Sequence, residues 1–233
     1  MKNLTATAFF CLLSTGAAFA QTAPQVRSVA SFQAVEVSNG IELRLTPGTT
    51  QRVEASADDA DQLARLKTEV SNGVLKISYD RELTESMGFK TTRHLRVDVM
   101  ATSLTALHAS SGAKAEVLGA FTTQKLDVQV SSGATLKANF SSTDMHAQVS
   151  SGGVATLAGS AQRLDVGASS GGVFKGSELM ARACDASASS GGNLSVAVQE
   201  TLTAHASSGG DIRYAGSPRV SKHTSSGGSV KSR

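Results

Sequence analysis

Apolar and polar residues alternate along the second half of the chain, in phase with a recurring Ser-Ser-Gly tripeptide. The positions one, three and five residues before the tripeptide are apolar in five successive copies: Val130, Val128, Leu126; Val149, Ala147, Met145; Ala168, Val166, Leu164; Ala188, Ala186, Cys184; and Ala206, Ala204, Leu202. The third residue after its Gly is apolar in every copy: Ala115, Leu136, Ala155, Phe174, Leu194, Ile212 and Val230. A period of two is typical of a β-strand with one buried face.

The tripeptide occurs seven times, at spacings of 18 to 21 residues. Each copy predicts a strand, a corner, a second strand and then a loop such as Ala158-Gly159-Ser160. A coil of this length cannot stand alone, whereas stacked coils pair their equivalent strands in parallel. We therefore predict an all-β fold, a parallel β-solenoid.

The residues of each corner carry two further expectations. Glycine adopts a positive φ at no steric cost, which we expect at Gly112, Gly133, Gly152, Gly171, Gly191, Gly209 and Gly227. Strand parity predicts that the second serine points inward, at Ser111, Ser132, Ser151, Ser170, Ser190, Ser208 and Ser226. Hydroxyls stacked about 4.8 Å apart would then form a hydrogen-bonded ladder.

The first third of the chain lacks the repeat. Its pattern predicts strands at 32–37, 41–45, 74–79 and 95–99, and one short helix at 58–66. Val-Ser-Asn-Gly at 37–40 and at 70–73 predicts two turns. We expect irregular coils over 31–100 that cap the regular repeats of 101–233, in a single domain spanning 31–233 after a short tail at 21–30.

Composition agrees with a thin solenoid, because 33 Ala, 33 Ser and 22 Gly leave few large side chains among 233 residues. With 22 basic and 19 acidic residues, the net positive charge is too small to indicate nucleic-acid binding.

The first twenty residues predict a secretory signal peptide. Lys2 precedes a short apolar stretch at 8–13, and Ala18-Phe19-Ala20 is a small-x-small cleavage site. We expect cleavage after Ala20, export to the periplasm or the cell surface, and no transmembrane segment in the mature chain. Only Cys184 then remains, so an intramolecular disulfide is excluded and a buried, inert thiol is expected.

Three features together resemble a known bacterial family. They are FQAVEVSNGIELRLTPG from Phe32, VSNGVLKISYD from Val70, and the series of Ser-Ser-Gly corners. The chain resembles the head GIN domain family, also described as a putative auto-transporter adhesin, over about 30–233. The resemblance implies a right-handed parallel β-helix, and it carries over no catalytic residue because the family has none established.

Parity also predicts outward-facing columns. Four residues before each corner lie Ala106, Asp127, His146, Asp165, Asp185, Thr203 and Ser221, and two residues before it lie His108, Gln129, Gln148, Gly167, Ser187, His205 and His223. Stacked carboxylates can bind sugars or calcium, or cleave polysaccharide by acid/base catalysis. We single out Asp127, Gln129, His146, Gln148, Asp165 and Asp185 as candidate ligand-binding residues. The alternative is a solvated face, since outward positions must be polar.

The opposite face predicts a partly basic column: Glu116, Lys137, Thr156, Lys175, Ser195, Arg213 and Lys231. This column could attract an anionic polysaccharide, or it could simply keep a β-surface from aggregating. His205 and His223 lack a carboxylate or Cys partner, so we predict no metal site and no cofactor.

Three functions stay open at this point. The first is a secreted, non-enzymatic solenoid whose faces bind a surface, an envelope polysaccharide or a protein partner. The second is a polysaccharide-acting enzyme that uses Asp127, Asp165 and Asp185. The scarcity of aromatic side chains, at 4% of residues, argues against a sugar-cleaving cleft. The third is a structural envelope protein that self-associates end to end.

Overall fold

The computed structural model describes residues 23–80 and 93–233, and the predicted signal peptide lies outside them. The described strands in chain order are β1 (Gln25–Arg27), β2 (Ala34–Val37), β3 (Glu42–Pro47), β4 (Arg52–Ser56), β5 (Leu66–Ser71), β6 (Val74–Tyr79), β7 (Arg96–Ala101), β8 (Ala106–Ala109), β9 (Lys114–Val130), β10 (Thr135–Val149), β11 (Val154–Ala168), β12 (Val173–Ala188), β13 (Asn193–Ala206), β14 (Asp211–Ala215), β15 (Arg219–Thr224) and β16 (Ser229–Ser232). One short helix, α1 (Ala60–Arg65), lies between β4 and β5. Within these ranges no helix is long and apolar enough to cross a membrane.

The repeats stack as parallel coils, which confirms the predicted all-β solenoid of about seven turns. Strands β9, β10, β11, β12 and β13 pair in that order, each in parallel with the next. The register places Val130, Val149, Ala168, Ala188 and Ala206 side by side in one column. Every apolar position predicted to point inward is buried, from Ala115 to Val230. The core is therefore a continuous column of small and medium side chains inside the stack.

Each corner is a tight turn with positive φ at its two central residues. The seven corner glycines have φ between 70° and 77°, as predicted. The residue after the glycine donates its N–H to the carbonyl oxygen of the first serine, for example Gly153 to Ser150 at 2.8 Å. A positive φ at both central positions together with this bond is characteristic of a type I′ turn.

The prediction of inward-pointing serines is wrong. Ser111, Ser132, Ser151, Ser170, Ser190, Ser208 and Ser226 are all exposed and have φ between 47° and 51°. The left-handed conformation reverses the chain direction at this residue, so the alternation of strand side chains does not continue through it. The ladder at the corner is formed by the backbone instead. In the first six corners the glycine N–H donates to the carbonyl oxygen of the second serine in the following coil, as from Gly171 to Ser190 at 3.2 Å.

The predicted loops between coils are mostly absent from the described repeats. Strand β11 passes without interruption through Ala158, Gly159 and Ser160, and Gly159 absorbs the bend with a φ of 110°. Only the last described coil breaks here, between β14 and β15. The repeats therefore present two strand faces joined by the Ser-Ser-Gly corner on one side and by a bent strand on the other.

The first third forms irregular coils, as predicted, but with more antiparallel pairing than the pattern indicates. Strand β1 pairs antiparallel with β4, β4 pairs antiparallel with β7, and β5 forms an antiparallel hairpin with β6. Asn39 and Gly40 form a corner like those of the repeats, whereas Asn72 and Gly73 form the hairpin turn. Asp59 caps α1 by accepting a hydrogen bond from the N–H of Gln62. The outermost strands at this end are β1 and β5.

The two glycines of a corner should respond differently to substitution by alanine. A Cβ at Gly191 would meet nothing within 4 Å, so Gly191→Ala should cost about 1 kcal/mol, from its positive φ alone. A Cβ at Gly192 would lie 2.3 Å from the carbonyl oxygen of Ala168. Gly192→Ala should therefore cost about 3 kcal/mol, measured as the free energy of unfolding in urea. An equal loss of unfolding free energy in the two variants would contradict the close approach of the coils.

Because the inward column is buried, substitutions at inward and outward positions should differ in their effect on the free energy of unfolding. Val149 is 1% exposed, whereas its neighbour Gln148 faces solvent. Val149→Asp should lower the free energy of unfolding by more than about 4 kcal/mol, because it buries an unpaired carboxylate. Gln148→Asp is the matched control and should change it by less than about 0.5 kcal/mol. A thermal melt of Val149→Asp that matches the unchanged protein would refute the assigned orientation.

Candidate functional site

The register assembles the predicted outward column. Asp127 on β9, His146 on β10, Asp165 on β11 and Asp185 on β12 are direct neighbours on successive strands. These residues alternate with buried ones, so each side chain is held on the outer surface by the packing of its strand. Four of the six candidate residues are thus brought together in one row, while their role in binding stays a prediction.

Hydrogen bonds form two His–Asp pairs at this row, one within it and one with His108 of the neighbouring column. His108 Nε2 lies 2.6 Å from Asp127 Oδ1, and His146 Nδ1 lies 3.1 Å from Asp165 Oδ2. Gln129 Nε2 donates to Asp127 Oδ1 at 2.9 Å, so this predicted residue orients the carboxylate from the side. Pairs on an open surface contribute little to stability, about 0.2–1 kcal/mol each. Their main effect is to fix the direction of the carboxylates.

Asp185 and Gln148, the other two candidate residues, have different surroundings. Asp185 has no hydrogen-bond partner within the described ranges, so its carboxylate is available to solvent. Gln148 lies over Gly167 of the next coil, where a Cβ would come within 2.2 Å of Gln148 Oε1. Gln148 therefore covers a gap left by glycine and does not join the row of carboxylates.

A second charged column lies beside the first, and the sequence interpretation missed it. Lys125, Asp144 and Arg163 are neighbours on β9, β10 and β11, and Arg163 forms an ion pair with Asp144. The signal was present in the sequence, because these residues lie six positions before successive Ser-Ser-Gly tripeptides. Charges of alternating sign thus run alongside the His–Asp row.

The two columns form the walls of a shallow groove that crosses the coils, which we call the charged groove. Its first part has a volume of about 520 Å³ and is lined by Thr105, Lys125, Leu126, Asp127, Asp144, Met145, His146, Arg163 and Asp165. Its second part, of about 370 Å³, is lined by Arg163, Leu164, Asp165, Ala183, Cys184, Asp185, Thr201 and Thr203. Because both parts share Arg163 and Asp165, they form one track along the stack.

The two histidines that the sequence analysis considered as metal ligands, His205 and His223, lie on β13 and β15. Across residues 23–80 and 93–233, no group of three or more His, Cys, Asp or Glu side chains could hold a metal ion. The rings of His205 and His223 lie 6.2 Å apart and are tilted by 53°.

The opposite face carries the predicted basic column, partly neutralised. Lys137 lies 3.8 Å from Glu116, and Arg213 lies 3.2 Å from Asp211. Lys175 is exposed between Thr156 and Ser195 on the neighbouring strands. The charge on this face is therefore isolated and intermittent, unlike the continuous row in the charged groove.

Cys184 lies beneath the charged groove, and its environment predicts an unreactive thiol. Burial, and next the charges of Asp185 and Asp165, raise the pKa of Cys184 to about 12. At pH 8 only about one thiol in ten thousand is then ionised, so iodoacetamide should leave this cysteine unmodified in the folded protein. Mass spectrometry of the Cys184 peptide measures the labelling, and unfolding in urea is the control that should restore it. Rapid labelling of the folded protein would contradict the burial.

Comparison with known proteins supports the fold and the family. No curated protein matches the chain. A putative adhesin from Bacteroides fragilis is 19% identical, with a TM-score of 0.79 over 91% of this chain and 96% of that one. A putative adhesin from Parabacteroides distasonis is 18% identical, with a TM-score of 0.66 over 91% and 96%. A putative lipid binding protein from Parabacteroides distasonis is 17% identical, with a TM-score of 0.59 over 90% and 96%.

These three likenesses show the fold alone, because the identities are low. A family model matches residues 31–218, which is most of the chain and includes six of the seven Ser-Ser-Gly corners. The chain therefore belongs to the family described as "putative auto-transporter adhesin, head GIN domain".

Proposed function

We propose that this protein is a non-catalytic, adhesin-like binding protein of the bacterial envelope, and that its charged groove holds a charged polysaccharide. Membership of the adhesin-like family indicates a surface or envelope location. We also propose that the protein is exported and that its signal peptide is cleaved after Ala20.

One observation carries the proposal: the charged groove runs across five successive strands, with charged groups of both signs on β9 and β11, Asp144 and His146 on β10, and Asp185 on β12. Asp127, His146 and Asp165 line one wall, and Lys125 and Arg163 line the other. A linear polymer laid across the coils would meet at least one polar or charged side chain on each strand, at the strand spacing of about 4.8 Å. An extended ligand is therefore matched by an extended polar surface.

The chemistry of the groove favours a hydrophilic ligand over a protein. Protein interfaces concentrate their binding energy in buried aromatic side chains and arginine, packed in dry pockets. The described lining of the charged groove contains no aromatic ring other than the imidazole of His146. Its residues offer charge-assisted hydrogen bonds to carboxylate, amine or hydroxyl groups, which charged polysaccharides carry.

Binding rather than cleavage follows from the shape of the groove and from its ion pairs. Catalytic clefts of enzymes are usually built by loops that project around the substrate. Here the described walls are the strands β9 to β13 themselves, apart from Thr105. Asp127 and Asp165 are each engaged by a histidine of the adjacent coil. Both features favour a surface that holds a polymer.

The test measures binding to immobilised lipopolysaccharide, polygalacturonate and chitosan. We expect at least one of them to be bound. Arg163→Gln combined with Asp165→Asn should weaken that binding at least tenfold, because these two residues lie in both parts of the groove. The control is Lys137→Gln combined with Lys175→Gln on the opposite face, which should leave it unchanged.

Three results would overturn the proposal. The first is the absence of binding to all three polymers, and the second is binding that survives the groove substitutions. The third is release of reducing ends from a bound polymer that disappears when Asp127, Asp165 and Asp185 are all changed to Asn. That third result would make the protein an enzyme instead.

A further inference from the structure

A second cavity lies at the N-terminal end of the stack, and we call it the N-terminal pocket. Its volume of about 830 Å³ exceeds that of either part of the charged groove. Four chain segments line it: 31–34, 49–51, 72–74, and the stretch 102–105 without Leu104. The volume lies within the range of about 300–1,000 Å³ that is usual for pockets that bind small ligands.

The pocket exists because the irregular coils break a corner that the regular repeats close. In the repeats, one continuous strand bends from the first face to the second, as β9 and β10 do. In the first coils, the chain leaves β3 at Pro47 and β7 at Ala101, and short loops follow both strands. These loops provide the projecting walls that the described repeats lack, and such loops commonly carry binding sites on a rigid scaffold.

The lining of the pocket has a distinct chemistry. None of its thirteen described lining residues is charged, although the chain has 22 basic and 19 acidic residues. The polar members carry hydroxyl or amide groups: Ser31, Gln33, Thr49, Thr50, Gln51, Asn72, Thr102, Ser103 and Thr105. Of the apolar members, Phe32 is buried in the core, and the half-buried Ala34 and Val74 offer a small hydrophobic surface.

The walls are hydrogen-bonded to one another, which holds the pocket open in advance of a ligand. Gln51 accepts a hydrogen bond from the Phe32 N–H at 3.3 Å and donates another to the Phe32 carbonyl oxygen. Thr105 donates its hydroxyl to the Gln33 carbonyl oxygen at 3.0 Å. The Gln33 N–H donates to the Gly73 carbonyl oxygen at 2.9 Å. A preformed site reduces the entropy lost on binding.

Other polar groups of the lining have no internal partner. The side chains of Ser31, Thr49, Asn72, Thr102 and Ser103 form no hydrogen bond within residues 23–80 and 93–233, and all five residues are exposed. They are therefore free to donate to a ligand and to accept from it. A ligand with an ionised group would find no opposite charge here, whereas a wholly apolar one would strip these groups of water without replacing their hydrogen bonds.

We propose that the N-terminal pocket binds an uncharged oligosaccharide. Neutral sugars combine many hydroxyl groups with apolar C–H faces, which matches hydroxyl and amide side chains around Ala34 and Val74. The pocket meets the charged groove at Thr105, which lines both. Its ligand is independent of the ligand of the groove, because the two linings differ in charge.

The test is isothermal titration calorimetry of the folded protein with five uncharged sugars: maltotriose, cellotriose, mannotriose, tri-N-acetylchitotriose and lactose. We expect at least one of them to bind with a Kd between about 10 μM and 1 mM. Ser103→Trp should abolish this binding by filling the pocket, and Thr50→Val combined with Thr102→Val should weaken it at least tenfold by removing hydroxyls. The control is Thr156→Trp, an exposed threonine on the opposite face, which should bind as the unchanged protein does. Thermal melts establish that each variant is folded.

Three outcomes would overturn the proposal. They are the absence of binding to all five sugars, binding that persists in the folded Ser103→Trp variant, and equal or tighter binding of the anionic trigalacturonate. Because the sugars are uncharged, a failure here leaves the polysaccharide assay of the charged groove unaffected. Conversely, the charged groove can fail its own test while this pocket binds a neutral sugar.

Discussion

The whole structure depends on how closely one coil can lie on the next at the Ser-Ser-Gly corner. There the chain must reverse its direction within the height of a single strand spacing. It does so with two consecutive residues of positive φ, and the N–H of the glycine donates to the serine carbonyl oxygen of the following coil. The next residue faces the backbone of the preceding coil so closely that a Cβ would lie 2.2–2.6 Å from its carbonyl oxygen in the five copies that have glycine there. Ala113 and Ala134 hold this position in the first two copies, so the tightest approach begins with the third coil.

The same register determines both the core and the surface. Because the coils align residue by residue, a buried column such as Val130, Val149 and Ala168 requires an outward column beside it. The His–Asp pairs and the Arg163–Asp144 pair follow from this alignment, since each joins residues about one repeat apart in sequence. Packing of small side chains thus fixes the positions of charged groups that take no part in the core. The charged groove is rigid for the same reason that the stack is stable.

The regular coils could be predicted from the sequence, whereas the segments that depart from the repeat could not. Every apolar position that period-two alternation predicted to be inward is buried, and the alternation aligned Asp127, His146, Asp165 and Asp185 in one row. The alternation failed at Ser151 and its equivalents. Side chains alternate only along extended backbone, and these residues have the left-handed conformation. Lys125, Asp144 and Arg163 have the same outward phase, but their alternating charges do not form a column of one residue type that would mark a site in the sequence. The handedness of the coil and the signal peptide stay predictions.

The antiparallel strands β1, β4 and β5 and the pocket beside them lay beyond such reasoning for a physical reason. Their positions depend on contacts between distant segments, such as the hydrogen bonds of Gln51 to Phe32, which no local period encodes. The regular and irregular parts of the fold therefore suit different ligands. Coils that stack in register extend one open surface along the stack, which fits a polymer. Loops that interrupt the coils can instead surround a short ligand on several sides. Thr105 lines both sites, so the two kinds of surface adjoin each other on the protein.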